Sequence, residues 1–108
     1  MNNMSIANVL FPTGKYEANL HVNNIFSKYP NVVSDYKIHS GWPHIKGTRI
    51  LASDIFRAVA KGSTYNDLIM DFKQMDISVS KGALEEAVRF TIDLLHYFNE
   101  KKTSGTER

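Results

Sequence analysis

The sequence predicts a mainly α fold: three helices between residues 53 and 100, preceded by a short N-terminal β-strand or hairpin region. Three observations carry this. Apolar residues fall at helical spacing from Ser53 onward; Gly62, Thr64 and Ser80 cut that stretch into three pieces; and a period of two is confined to the stretch before Pro30. With 108 residues, 43% of them apolar, the chain has the size of one domain with one modest core.

Tyr16, Ala18, Leu20 and Val22 alternate with Glu17, Asn19, His21 and Asn23, the pattern of a half-buried strand. Pro12-Thr13-Gly14 marks a turn before it, which makes Asn8-Val9-Leu10-Phe11 the candidate hairpin partner. Pro30-Asn31 then breaks the chain. The first helix is expected near residues 54–61, capped by Ser53, with Ile55, Phe56 and Val59 on one face and Gly62 as its stop. Thr64 starts the second, and Asp67 three residues on approximates a capping box; Tyr65, Leu68, Ile69 and Phe72 form its buried stripe. After a link from Lys73 to Val79, Ser80 caps a third helix running to about Glu100, with Lys101 and Lys102 suited to the helix dipole. The chain thus divides into an N-terminal extension (1–34), a helical domain (35–100) and a loose tail (101–108).

The third helix is too apolar for a surface helix. Leu84, Ala87, Val88, Thr91, Ile92, Leu94, Leu95 and Phe98 fill one side and Phe90 and Tyr97 extend it, an arc of roughly 220° against the ~100° that faces a protein's own core. Either the N-terminal strands or a second subunit must cover the excess. The second subunit is the preferred reading, with Phe90, Leu94, Tyr97 and Phe98 as a homodimer or partner interface, because such aromatics favour interfaces. The remaining strip carries Glu85, Glu86, Arg89, Asp93, His96 and Glu100, a formal charge of −3.

Net charge is +2, unevenly placed. Residues 37–61 hold Lys37, Lys46, Arg49, Arg57 and Lys61 against Asp54 alone. A positive field there attracts phosphate. Enzymatic chemistry finds no support: there is no cysteine, no Gly-x-Ser-x-Gly, no Gly-Lys-Ser/Thr phosphate loop, and Glu85 and Glu86 diverge by about 100° on a helix. The four histidines lack metal-ligand spacing, so neither metal nor cofactor is expected. No stretch reaches the ~18 apolar residues of a membrane span, and the start lacks a signal peptide's pattern, so a cytoplasmic address is expected.

One segment is distinctive: Ile38-His39-Ser40-Gly41-Trp42-Pro43-His44-Ile45-Lys46-Gly47-Thr48-Arg49-Ile50. Its glycines bracket an extended stretch in which Pro43 keeps Trp42 extended, Ile45 and Ile50 point inward, and Thr48 and Arg49 hydrogen-bond across the loop or to a helix end. Lys46 and Arg49 alternatively face phosphate. Trp42 is expected to pack in the core or loop rather than to stack on bases.

This segment resembles the opening signature of the family known as domain of unknown function 433, approximately I-x-x-G-x-P-x-I-x-G-T-R-I. Asp54-Ile55, Ala60-Lys61-Gly62, Leu68, Asp71-Phe72 and Ala87-Val88 continue the likeness, over about residues 35–98. The resemblance implies a helix-turn-helix (homeodomain-like) core behind a short strand, and some members look like VapB-type antitoxins that pair with a ribonuclease toxin and repress their own operon. The expected function is therefore a DNA-binding, antitoxin-like regulator acting as a dimer. Lys46, Arg49, Arg57, Lys61 and Lys81 would contact the phosphates of an operator. The alternative is a protein-interaction module for a toxin or other partner, without DNA contact. The link of about seven residues between the second and third helices departs from the three or four of a DNA-reading helix-turn-helix.

Overall fold

A computed structural model of the chain describes residues 16–106, with side chains described for residues 21–100. Helix α1 (Tyr16–Lys28) is followed by strand β1 (Val32–Val33), a short 3-10 turn at His39–Gly41, strand β2 (His44–Ile45), and helices α2 (Ala52–Ala60), α3 (Tyr65–Gln74) and α4 (Lys81–Thr106). Among the described residues the fold is mainly helical with a small antiparallel hairpin of β1 and β2, in which Val32 pairs with Ile45 and Val33 with His44.

The hairpin is not where the alternation put it. Residues 16–28 form a helix, and the strand expected over Tyr16–Asn23 is replaced by α1. The reason is a second, longer-range pattern: Val22, Ile25, Phe26 and Tyr29 stand at i, i+3, i+4 and i+7, one helical face. Val22 and Ile25 are buried and the two aromatics pack against the same core. The candidate strand Asn8–Phe11 lies outside the described residues. The true strands flank and enter the signature segment, where Lys46 N donates to the Asn31 carbonyl at 2.8 Å.

Helix α2 begins two residues before the expected start, at Ala52, with Leu51 as its N-cap and no side-chain cap. A bridge between His44 and Leu51 brings the chain into the helix directly, and Ala52 N donates to the Pro43 carbonyl at 3.0 Å, so Ser53 is not needed as a cap. The helix ends as expected on Gly62, at φ +112°. Gly62 N bonds to the Val59 carbonyl and Ser63 N to the Ala58 carbonyl, the paired bonds of a Schellman stop.

The expected capping box of α3 is present. Asp67 N donates to Thr64 Oγ1 at 3.0 Å, and Thr64 N donates to Asp67 Oδ2 at 3.3 Å. Leu68 is buried and Tyr65, Ile69 and Phe72 pack beside it. This helix stops with the same bonds, Asp76 N to the Lys73 carbonyl and Ile77 N to the Phe72 carbonyl, but with Asp76 at φ +63° in the position that favours glycine. The link to α4 is therefore Met75–Ser80 rather than Lys73–Val79. Ser80 Oγ accepts from Ala83 N at 3.1 Å, the predicted cap. The backbone of α4 stays helical to Thr106, past the expected end at Glu100 and through most of the tail, because each added residue gains a bond without a new nucleus.

The core forms where α1, the hairpin, α2 and α3 meet α4. Ile55, Leu84 and Phe90 are its largest fully buried apolar side chains, each worth ~1.5–3 kcal/mol of transfer free energy.

Candidate nucleic-acid interface

The signature segment builds a second, tighter hairpin on β2. Ile45 N donates to the Ile50 carbonyl at 2.9 Å, closing a four-residue tip of Lys46, Gly47, Thr48 and Arg49. Thr48 Oγ1 donates to the Ile45 carbonyl at 2.8 Å and accepts from Ile50 N at 3.0 Å, fastening both sides of the turn. Gly47 sits at φ +80°, where a side chain would be strained. Ile45 is buried and Ile50 packs on the core, both as expected for anchors. Arg49 joins the loop through its carbonyl, which accepts from His39 Nε2 at 3.0 Å, and its side chain is left exposed. His44 is fully buried, and its Nδ1 lies 3.2 Å from the Trp42 carbonyl, so that nitrogen carries the proton. Trp42, expected to pack, is instead 44% exposed.

All five predicted phosphate contacts are exposed. Lys46 and Arg49 share the hairpin tip. Arg57 and Lys61 stand one turn apart at the end of α2, and Lys81 opens α4. The set is thus spread over three elements. Arg57 pairs with Asp54 on the solvent side of α2, which removes part of its charge from any phosphate but adds little stability.

The link Met75–Ser80 runs between two shallow grooves. One, of about 630 Å³, is lined by Gly47, Thr48 and Arg49 on one wall and Asp76 to Ser78 on the other. The second, of about 370 Å³, lies between the same residues and Ile69 and Lys73 of α3. Among the described residues no cluster of three or more histidine or carboxylate side chains can hold a metal ion, and no helix is long and apolar enough to cross a membrane.

The predicted partner interface on α4 requires a correction. Phe90 is 1% exposed: Phe26 lies 4.7 Å away between ring centroids and Tyr29 meets it edge-on at 6.4 Å. Tyr97 is 5% exposed and stacks on His21 at 4.2 Å. These two residues are covered by α1 of the same chain, so the N-terminal segment, as a helix, provides the cover assigned to a second subunit. Leu94 and Phe98 are half-buried beside them. What stays open is the opposite edge of the apolar arc, Ile92 (39% exposed) and Leu95 (44%), with Val88 half-buried one turn before.

Two residues of the acidic strip also have a role that composition did not reveal. The Glu86 carboxylate accepts from Asn31 N at 2.8 Å and from the Asn31 side-chain amide at 2.9 Å. Asp93 Oδ2 accepts from the Tyr29 hydroxyl at 2.7 Å. That hydrogen bond, aided by burial and by the Asp93 charge, holds the Tyr29 phenol above its ordinary pKa. Residues 29–31 are thereby clamped to α4.

A family model described as "Protein of unknown function (DUF433)" matches residues 32–90, from β1 through the first third of α4. No curated protein and no solved structure matches the chain.

Proposed function

The chain belongs to the DUF433 family, and from that premise we propose that it is a DNA-binding, antitoxin-like regulatory protein acting as a dimer. One observation carries the reading. Helices α2 and α3 are joined by the four residues Lys61-Gly62-Ser63-Thr64, with glycine in the turn and a capping box starting the second helix. This is the short connection a DNA-reading helix-turn-helix uses. The long link that argued against DNA reading lies after α3, outside this pair, so α3 rather than α4 is the groove helix. The exposed cations Lys46, Arg49, Arg57, Lys61 and Lys81 supply phosphate contacts around it. Dimerisation uses the open edge Val88, Ile92 and Leu95, a small apolar area that favours a concentration-dependent association over an obligate one.

The test is light scattering on a sizing column, alone and with a labelled fragment of the gene's own promoter at two salt concentrations. A dimer that retains the fragment at low salt and releases it at high salt supports the proposal, since neutralised phosphates release counterions. Retention that ignores salt, or no retention, sinks it.

A second reading is favoured by Met70 and Met75, 62% and 59% exposed on α3 and at its C-cap. Exposed methionines suit adaptable protein contacts. A chain that ignores DNA but binds a toxin or other partner protein through this face fits that reading.

A further inference from the structure

The outward residues of α3 are sorted by charge. Stepping 100° per residue, the buried stripe Tyr65, Leu68, Ile69 and Phe72 faces inward and Asp67, Met70 and Gln74 stand opposite it. Asp71 lies on one edge; Asn66 and Lys73 lie on the other. Asp67 is already engaged by the capping box. Asn66, Met70, Lys73 and Gln74 are all exposed, and no hydrogen bond within the described chain occupies the amide of Asn66 or Gln74. Lys61, in the turn just before α3, and Lys73, near its end, bracket the strip with positive charge.

We infer that this edge of α3 reads base edges in the major groove of duplex DNA, with Asn66 on an adenine and Met70 against a thymine methyl. The inference rests on the DNA-binding reading above and adds the residues that would confer sequence preference. The chemistry selects the bases. A carboxamide presents a donor and an acceptor that match adenine N7 and N6 together, and an apolar side chain fits the thymine methyl. The spacing is also suitable: four residues of helix rise ~6 Å, so Asn66 and Met70 are offset by about two base pairs at ~3.4 Å each. Gln74 continues the same row by another ~6 Å. The acidic edge explains the orientation, because turning Asp71 toward the backbone would set a carboxylate against phosphate, while the amide edge with Lys61 and Lys73 does not.

The test uses the full chain, a pool of duplexes with a randomised centre, and sequencing of the retained fraction at low salt. The wild type enriches sites containing adenine and thymine. Asn66→Ala loses the preference at one adenine by about 5- to 100-fold, with an unchanged dependence on salt. Met70→Ala weakens a thymine about two base pairs from that adenine, while Asp71→Asn tightens binding to all sequences alike. Asn66 is exposed and alanine favours helices, so folding is preserved, and circular dichroism checks this. Salt-sensitive retention without enrichment, or enrichment that Asn66→Ala and Met70→Ala leave intact, overturns the inference and leaves the DNA-binding reading standing. Retention of no duplex at low salt overturns both.

Discussion

Helices α1 and α2 both lie against α4, but different chemistry holds each. Between α2 and α4 the contact is apolar, with Ala52 and Ile55 on one side and Leu84 and Ala87 on the other, all buried. Between α1 and α4 the rings of Phe26, Tyr29 and His21 meet Phe90 and Tyr97, and two carboxylates of α4, Glu86 and Asp93, bind residues 29 and 31 just beyond α1. The match to the family spans α2 and the part of α4 that receives it, and stops short of α1. Both helices therefore bury a periodic apolar face against α4, and the chain just after α1 is tied down in addition by polar partners 55 and 64 residues away in sequence.

Four substitutions separate the two contacts. Phe90→Ala has the largest expected effect, a loss of about 3–5 kcal/mol in urea unfolding, because it empties the space between two aromatic rings of the N-terminal segment and the core. Hydrogen exchange should then rise in α1 before α2; equal loss of protection in both would refute the distinction. Glu86→Ala should cost about 1–2 kcal/mol, since the Asn31 N–H and side-chain amide both lose a charged acceptor in a half-buried setting. An unchanged unfolding midpoint would mean that water replaces the carboxylate and the clamp contributes nothing.

On the α2 side, Gly62→Ala tests a backbone stop rather than a polar clamp. A Cβ at Gly62 meets no neighbour within 4 Å, so the cost is conformational, about 1–2 kcal/mol. The loss should fall on α2 and α3 and spare protection in α1. Tyr29→Phe has the smallest expected effect near neutral pH, about 1 kcal/mol, and a distinct signature at high pH. The folded phenol has its pKa raised, so the fold holds its proton more tightly than the unfolded chain does. Its contribution is complete below the unfolded value of ~10 and is lost as pH rises through the folded pKa. Melting temperatures followed from pH 8 to 11 should therefore fall more steeply in the wild type than in Tyr29→Phe; parallel curves would remove Tyr29 from the account.

Much of this architecture could be read residue by residue. Thr64 and Asp67, Gly62, Ser80 and the anchors Ile45 and Ile50 act where local chemistry indicated. The structure departs from local expectation where two local patterns compete or where a partner is distant. Alternation over Tyr16–Asn23 was compelling alone, yet Val22, Ile25, Phe26 and Tyr29 already carried the helical spacing that α1 adopts. Ser53 was a good cap by identity but was bypassed, because the bridge at Leu51 sets the helix start. For the candidate site, the five cations were legible as exposed residues. The short connection from Lys61 to Thr64 was legible too, because Gly62 and Thr64 mark its two ends; the spread of the cations over three elements was not.

The fold class, the three helices after residue 50, their two best caps and the family signature follow from local sequence, since each depends on residues within a few positions of one another. Which side of α4 is covered, its cover by α1, and the clamping role of Glu86 and Asp93 emerge only in three dimensions. Those outcomes depend on which distant groups meet once the chain has closed on itself. A carboxylate on a helix has the same local preferences whether it faces water or an amide 55 residues away.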